Sequence, residues 1–112
     1  MRLCSPRLGG VVVALGLFVS AVATAAPVGA SEPLKVELHK LRICESGDNY
    51  RADTGNGYYG AYQFALATWH GLGMHGRPDH ARPIAQNRAA RMLHARDGWK
   101  AWPGCARTEH LR

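Results

Sequence analysis

The chain has 112 residues, 46% of them hydrophobic and 20% charged, with a formal charge of +6. That length is enough for one small domain. The basic residues gather in the second half, from Arg77 to Arg112. Such a balance suits an anionic polymer, either a cell wall or a nucleic acid, or else a solvated basic helix face.

Residues 1–30 read as a signal peptide and short spacer. Arg2 and Arg7 form a positive n-region, Val11 to Val19 an apolar h-region, and Ala23-Thr24-Ala25 a small-residue cleavage pattern. Val28-Gly29-Ala30 is a second candidate site, and an uncleaved membrane anchor is the rival reading. Removal would leave a secreted or wall-associated chain of residues 31–112, carrying Cys44 and Cys105 but not Cys4. Two cysteines in an oxidising compartment suit a disulfide that staples a thin core, with two free buried thiols as the alternative. An exported chain rarely meets nucleic acid, so wall polymers are the better partner. No CxxC or Cys/His ligand spacing is present, and His70, His75 and His80 align on no helix face, so no metal site is expected.

After Ala26 to Pro33, Leu34, Leu38 and Leu41 mark one stripe of a first helix, which Gly47 stops. Residues 48–62 mix Asp, Asn, Thr, Gly and Tyr, and Asn56-Gly57 predicts a small hairpin around it. A second helix fits Ala65 to His70, ended by Gly71 and Gly73. Residues 72–82 form a loop. Pro83 starts a third helix that runs to about Arg96, with Gly98 as its stop. Trp99 to Pro103 then return the chain to Cys105.

The blocks Cys44-Glu45-Ser46-Gly47, Thr54 to Gly60, Gln63-Phe64, Thr68-Trp69 and Gly98-Trp99-Lys100-Ala101-Trp102-Pro103-Gly104-Cys105 carry a specific pattern. They resemble, in order and spacing, the catalytic domain of the resuscitation-promoting factors, secreted muralytic proteins. The resemblance covers about residues 36–107. It implies a mainly α (α+β) fold: a small lysozyme-like domain with about three helices, a short β-hairpin and one disulfide, Cys44 to Cys105. It further implies Glu45 as the catalytic acid and cleavage between the sugars of peptidoglycan. The departures are Asp48 for Gly, Tyr50 for Trp, Asp53 for Asn and Asp97 for Gln. A further one is Asn87, where the third helix usually offers an apolar residue and where weaker packing is therefore expected.

Glycoside cleavage needs a proton for the leaving oxygen and stabilisation of an oxocarbenium-like centre. Glu45 can supply that proton if an apolar wall raises its pKa, and Tyr58, Tyr59, Phe64 and Trp69 are candidates for the wall. Thr54, Tyr58, Tyr59, Gln63, Thr68 and Asp97 are the candidate substrate contacts. Asp53 is either a second carboxylate acting on Glu45 or a turn residue bonded to local amides. Trp69, Trp99 and Trp102 read as core.

The expectation is a secreted, monomeric glycosidase, a muramidase or lytic transglycosylase. It would act on peptidoglycan glycan strands without a cofactor and promote growth or resuscitation of dormant cells. A wall endopeptidase is a candidate protein partner, and no nucleic-acid binding or stable membrane insertion is expected. A catalytically weak peptidoglycan-binding module is the alternative, and a small basic partner-binding protein is a third reading.

Overall fold

The computed structural model describes residues 9–10, 12–17, 20–22 and 31–112. The signal-peptide reading falls largely on residues outside that set. Among the described residues no helix is long and apolar enough to cross a membrane.

The expected helices are present. Helix α1 spans Glu32–Ser46, α2 Leu66–Gly71 and α3 Pro83–Asp97, and the chain adds a fourth, α4, at Pro103–Thr108. Short 3-10 turns at Pro78–His80 and Gly98–Ala101 lead into α3 and α4. Prolines open α1, α3 and α4, where a missing N–H costs no helical bond. Gly47 ends α1 in the left-handed conformation, and its N–H donates to Ile43 O.

The hairpin lies a few residues later than the Asn56-Gly57 pair predicts. Strands β1, Tyr58–Tyr59, and β2, Phe64–Ala65, pair antiparallel with Tyr58 opposite Ala65 and Tyr59 opposite Phe64. The connecting turn is therefore Gly60 to Gln63, closed by Gln63 N–H on Gly60 O. Asn56-Gly57 makes the preceding reversal, closed by a bridge between Asp53 and Tyr59. The local turn signal was correct, but the two-stranded ladder uses the next reversal, where Tyr62 and Phe64 gain buried positions.

The core gathers Leu38 and Leu41 of α1, Tyr62 and Phe64 of the hairpin, Trp69 of α2, Ala89, Ala90 and Leu93 of α3, and Trp102. Phe64 is its centre, with ring centroids 5.3 Å from Trp69 and 6.4 Å from Trp102. Trp102 Nε1 donates to Tyr62 O at 2.9 Å, so the buried indole leaves no donor unpaired.

One buried polar residue organises the hairpin. Gln86 of α3 is fully buried. Its Oε1 accepts from Ala61 N–H at 3.0 Å, and its Nε2 donates to the carbonyls of Tyr50 and Ala81, each at 2.9 Å. Gly60 has φ +78°, and a Cβ there would run into the Gln86 side chain. The absence of a side chain at position 60 is thus what lets the turn reach α3.

Cys44 and Cys105 are joined, with their Cα atoms 5.8 Å apart. The bond ties the end of α1 to α4 across a separation of 61 residues. Closing that loop stabilises the fold by roughly 4 kcal/mol in the chain-entropy account.

Candidate active site

The last turn of α1 assigns a separate task to each of four consecutive residues. Cys44 makes the disulfide. Glu45 faces a cleft of about 340 Å³. Ser46 donates to Ala61 O at 2.8 Å and accepts from Asn49 N–H at 3.1 Å, fixing the helix end to the hairpin turn. Gly47 stops the helix. A carboxylate held between a disulfide and a hydrogen-bonded serine has the rigid support that acid catalysis requires.

The cleft is lined by Glu45, Asn56, Tyr58, Gln63, Ala101, Trp102 and Pro103. Glu45 is half-buried, and among the described residues its carboxylate has no hydrogen-bond or ion-pair partner. Burial alone pushes its pKa above the ordinary glutamate value, because the charged form loses hydration without gaining a partner. The apolar wall differs from the expected one. It is Tyr58, Trp102 and Pro103, whereas Phe64 and Trp69 are core residues behind it.

Gln63 is placed by an unusual backbone. Its φ is +52°, a left-handed conformation that a side chain adopts at a cost of about 1 kcal/mol or more. Its Nε2 donates to Gly60 O at 3.0 Å, and among the described residues its amide oxygen has no partner. Asn56 Oδ1 accepts from Tyr58 N–H at 3.0 Å, so an Asx turn fixes Asn56 at the cleft edge.

The structure thus brings Glu45, Tyr58 and Gln63 together. Adjacent strand residues point to opposite faces, and Tyr59 accordingly lies away from the cleft, under the Arg77 guanidinium at 4.3 Å. Thr54 is exposed in the preceding loop and Thr68 is half-buried on α2; neither lines the cleft. Asp97 borders an adjoining hollow with Arg96, Lys100 and Ala101. Its carboxylate takes two bonds from Arg96, at 3.0 and 2.9 Å, and this pairing holds its pKa low.

Asp53 is engaged away from Glu45. Its Oδ2 accepts from Arg77 at 2.7 Å and its Oδ1 from Gly55 N–H at 3.2 Å, and burial is the sole cause of the Glu45 shift. The turn reading of Asp53 holds instead. Asn56, Ala101, Trp102 and Pro103 are cleft residues that the sequence reading did not assign to the site. Asn56 stood inside the Asn-Gly signal, and the other three inside the block that closes on Cys105.

The fold and the cleft define a small, disulfide-stapled, mainly helical domain that presents one unpaired carboxylic acid in a polar and aromatic groove. The chain belongs to the transglycosylase-like domain family of the resuscitation-promoting factors, whose pattern matches residues 33–105. It is 34% identical over 110 residues to resuscitation-promoting factor RpfC of Mycobacterium tuberculosis strain Erdman, covering 98% of this chain and 77% of the relative. It is 38% identical over 89 residues to resuscitation-promoting factor Rpf of Micrococcus luteus, covering 76% of this chain and 40% of the relative. Resuscitation-promoting factor RpfE of Mycobacterium tuberculosis is 42% identical over 72 residues, 64% of this chain and 42% of the relative. The chain therefore spans less than half the length of two of these three proteins.

Proposed function

We propose that this protein is an exported glycosidase that cuts the glycan strand of peptidoglycan, with Glu45 as its general acid and then its general base. Residues 1–30 serve as signal peptide and spacer, and residues 31–112 form the working domain at the cell wall. The observation that supports the reading is the state of Glu45: half-buried, without a partner among the described residues, raised in pKa and fixed on a rigid helix end in an open groove.

The protonated Glu45 donates its proton to the glycosidic oxygen, and that bond to the anomeric carbon breaks. Among the described residues no second carboxylate lines the cleft to trap the developing cation. The 2-acetamido carbonyl of the muramic sugar takes that place and bonds to the anomeric carbon, a substrate-assisted route known for glycoside cleavage. The Glu45 carboxylate then accepts a proton from the sugar's own 6-hydroxyl, whose oxygen displaces the acetamido group and gives a 1,6-anhydro product. If water enters instead, the product is a reducing sugar. Asn56 and the amide oxygen of Gln63 supply polar contacts to the sugars, and Tyr58 and Trp102 supply apolar surface. The biological consequence is wall remodelling that stimulates growth of dormant cells, in keeping with the names of the relatives.

The test is mass analysis of soluble fragments released from purified peptidoglycan by residues 31–112, with Glu45→Gln in parallel. Anhydro-muramyl fragments from the wild type alone establish a lytic transglycosylase, and reducing-end fragments establish a hydrolase. No fragments from either protein would replace this reading with that of a wall-binding module.

A further inference from the structure

A second concavity, of about 470 Å³, runs over α4. Its floor is apolar, formed by Trp99, Pro103, Ala106 and Leu111. Its rim is Lys100, Arg107, His110 and Arg112, and among the described residues no acidic one lines it. Among the described residues, Lys100, Arg107 and Arg112 form no ion pair, whereas Arg42, Arg77 and Arg96 are each bound to a carboxylate. The one acid of the adjoining hollow, Asp97, is bonded to Arg96 and within electrostatic reach of Lys100, though it forms no ion pair with it. Glu37 of α1 reaches only the backbone N–H of Arg112.

This groove adjoins the Glu45 cleft. The two share Pro103. Lys100 also borders the Arg96–Asp97 hollow, which in turn meets the cleft at Ala101. Unpaired like charges around an apolar floor repel one another until an anionic, partly apolar ligand arrives. In peptidoglycan, each peptide-bearing muramic sugar carries on its lactyl group a short peptide with free carboxylates and alanine methyl groups. A muramic sugar with its anomeric carbon at Glu45 holds that peptide beside the cleft.

We infer that the groove over α4 binds the acidic stem peptide of the muramoyl residue being cleaved, and so makes the protein selective for peptide-bearing over denuded glycan. The inference rests on the glycosidase reading above and extends it to substrate class. Carboxylates meet Lys100 and Arg107, and alanine side chains lie on Trp99, Pro103 and Leu111.

Two measurements test it. In the first, isotopically labelled Glu45→Gln protein is titrated with the sugar-free tripeptide L-alanyl-γ-D-glutamyl-diaminopimelate. Saturable amide shifts are expected from Trp99 to Arg107, and their loss when Lys100→Gln and Arg107→Gln are added. No saturable shift at millimolar peptide, or the same shifts with inorganic triphosphate, overturns the inference. In the second, wild type and the Lys100→Gln/Arg107→Gln double variant digest peptidoglycan and the same glycan stripped of peptides by an amidase. The wild type should prefer the peptide-bearing strand by roughly fivefold, the scale of two exposed charge pairs. The double variant should lose that preference while cutting denuded glycan within about twofold of the wild-type rate. Equal wild-type rates on both strands, or a variant slowed alike on both, would sink the idea. If the wild type cuts neither strand, the glycosidase reading fails, and the peptide titration alone decides the groove.

Discussion

The Tyr50 hydroxyl donates to Asn87 Oδ1 at 2.9 Å and joins the loop after α1 to α3. The Tyr62 hydroxyl donates to the same oxygen at 2.8 Å and accepts from Arg42 Nη1 at 2.9 Å. Arg42 Nε donates onward to Asp48 at 2.6 Å. Asp48, Tyr50 and Asn87 are three of the positions where the chain departs from the family pattern, and here they form one polar chain. Asn87 was expected to weaken the packing of α3. It instead serves as the acceptor that a tyrosine at position 50 requires, since a buried hydroxyl without a partner is costly.

Asn87→Leu should therefore destabilise the domain by about 1–3 kcal/mol, although leucine suits a helix better. For a domain of this size each kcal/mol lowers Tm by roughly 4–8 °C. Thermal melts of Asn87→Leu with and without Tyr50→Phe test the coupling. The double variant should recover part of the loss, because the stranded hydroxyl is gone.

Glu45→Gln should abolish activity and raise stability together. Loss of a general acid costs about 10²–10⁴ in rate. The folded pKa of Glu45 lies above its unfolded value, so its ionisation opposes folding. The stability it contributes is complete below the unfolded pKa and is lost as pH rises through the folded one. The Tm advantage of Glu45→Gln should thus be present at neutral pH and vanish near pH 4, as melts across that range would show. A variant no more stable than wild type at pH 7 would contradict the burial argument.

Asp79 gives the opposite pH dependence. It is 5% exposed, and Arg77, donating from Nε at 3.1 Å and from Nη2 at 2.7 Å, holds its pKa below the usual carboxylate range. The pair contributes stability above the unfolded pKa, and that contribution is lost as pH falls through the folded value. Arg77→Gln should lower Tm most above about pH 5, and the gap from wild type should close in acid. A gap independent of pH would assign the effect to the Arg77 contact with Tyr59 instead.

Asp53→Asn should not move the alkaline limb of the pH–rate profile, where Glu45 loses its proton. The Asp53 carboxylate belongs to Arg77, and Glu45 owes its shift to burial. Movement of that limb by half a pH unit or more, roughly 0.7 kcal/mol, would show a coupling to Glu45 that the geometry lacks.

Tyr58→Ala and Tyr59→Ala should separate binding from stability. Tyr58 lines the cleft and is 49% exposed, so its loss should raise KM with little change in Tm. Tyr59 packs under Arg77, so its loss should lower Tm with KM largely kept. Kinetics on soluble glycan fragments, paired with melts, distinguish the two.

The sequence by itself determined the elements and the place of the candidate acid. Leucines at helical spacing, Pro83, Gly47 and Gly98 are local signals, and each acts within a few residues, so α1, α2 and α3 fall where they predict. The Cys-Glu-Ser-Gly block likewise placed Glu45 at a helix end. Tertiary structure decided what surrounds that acid. Whether Tyr58 or Tyr59 faces the cleft depends on hairpin register, and that register is set by Gln86 gripping Ala61 from 25 residues away. The pairing of Asp53 with Arg77 spans 24 residues, and that of Tyr50 with Asn87 spans 37. Trp102 becomes both core and cleft wall because the disulfide brings its segment back to α1. Such relationships carry no period or turn signature, because they are fixed by side chains that meet only after the chain has packed.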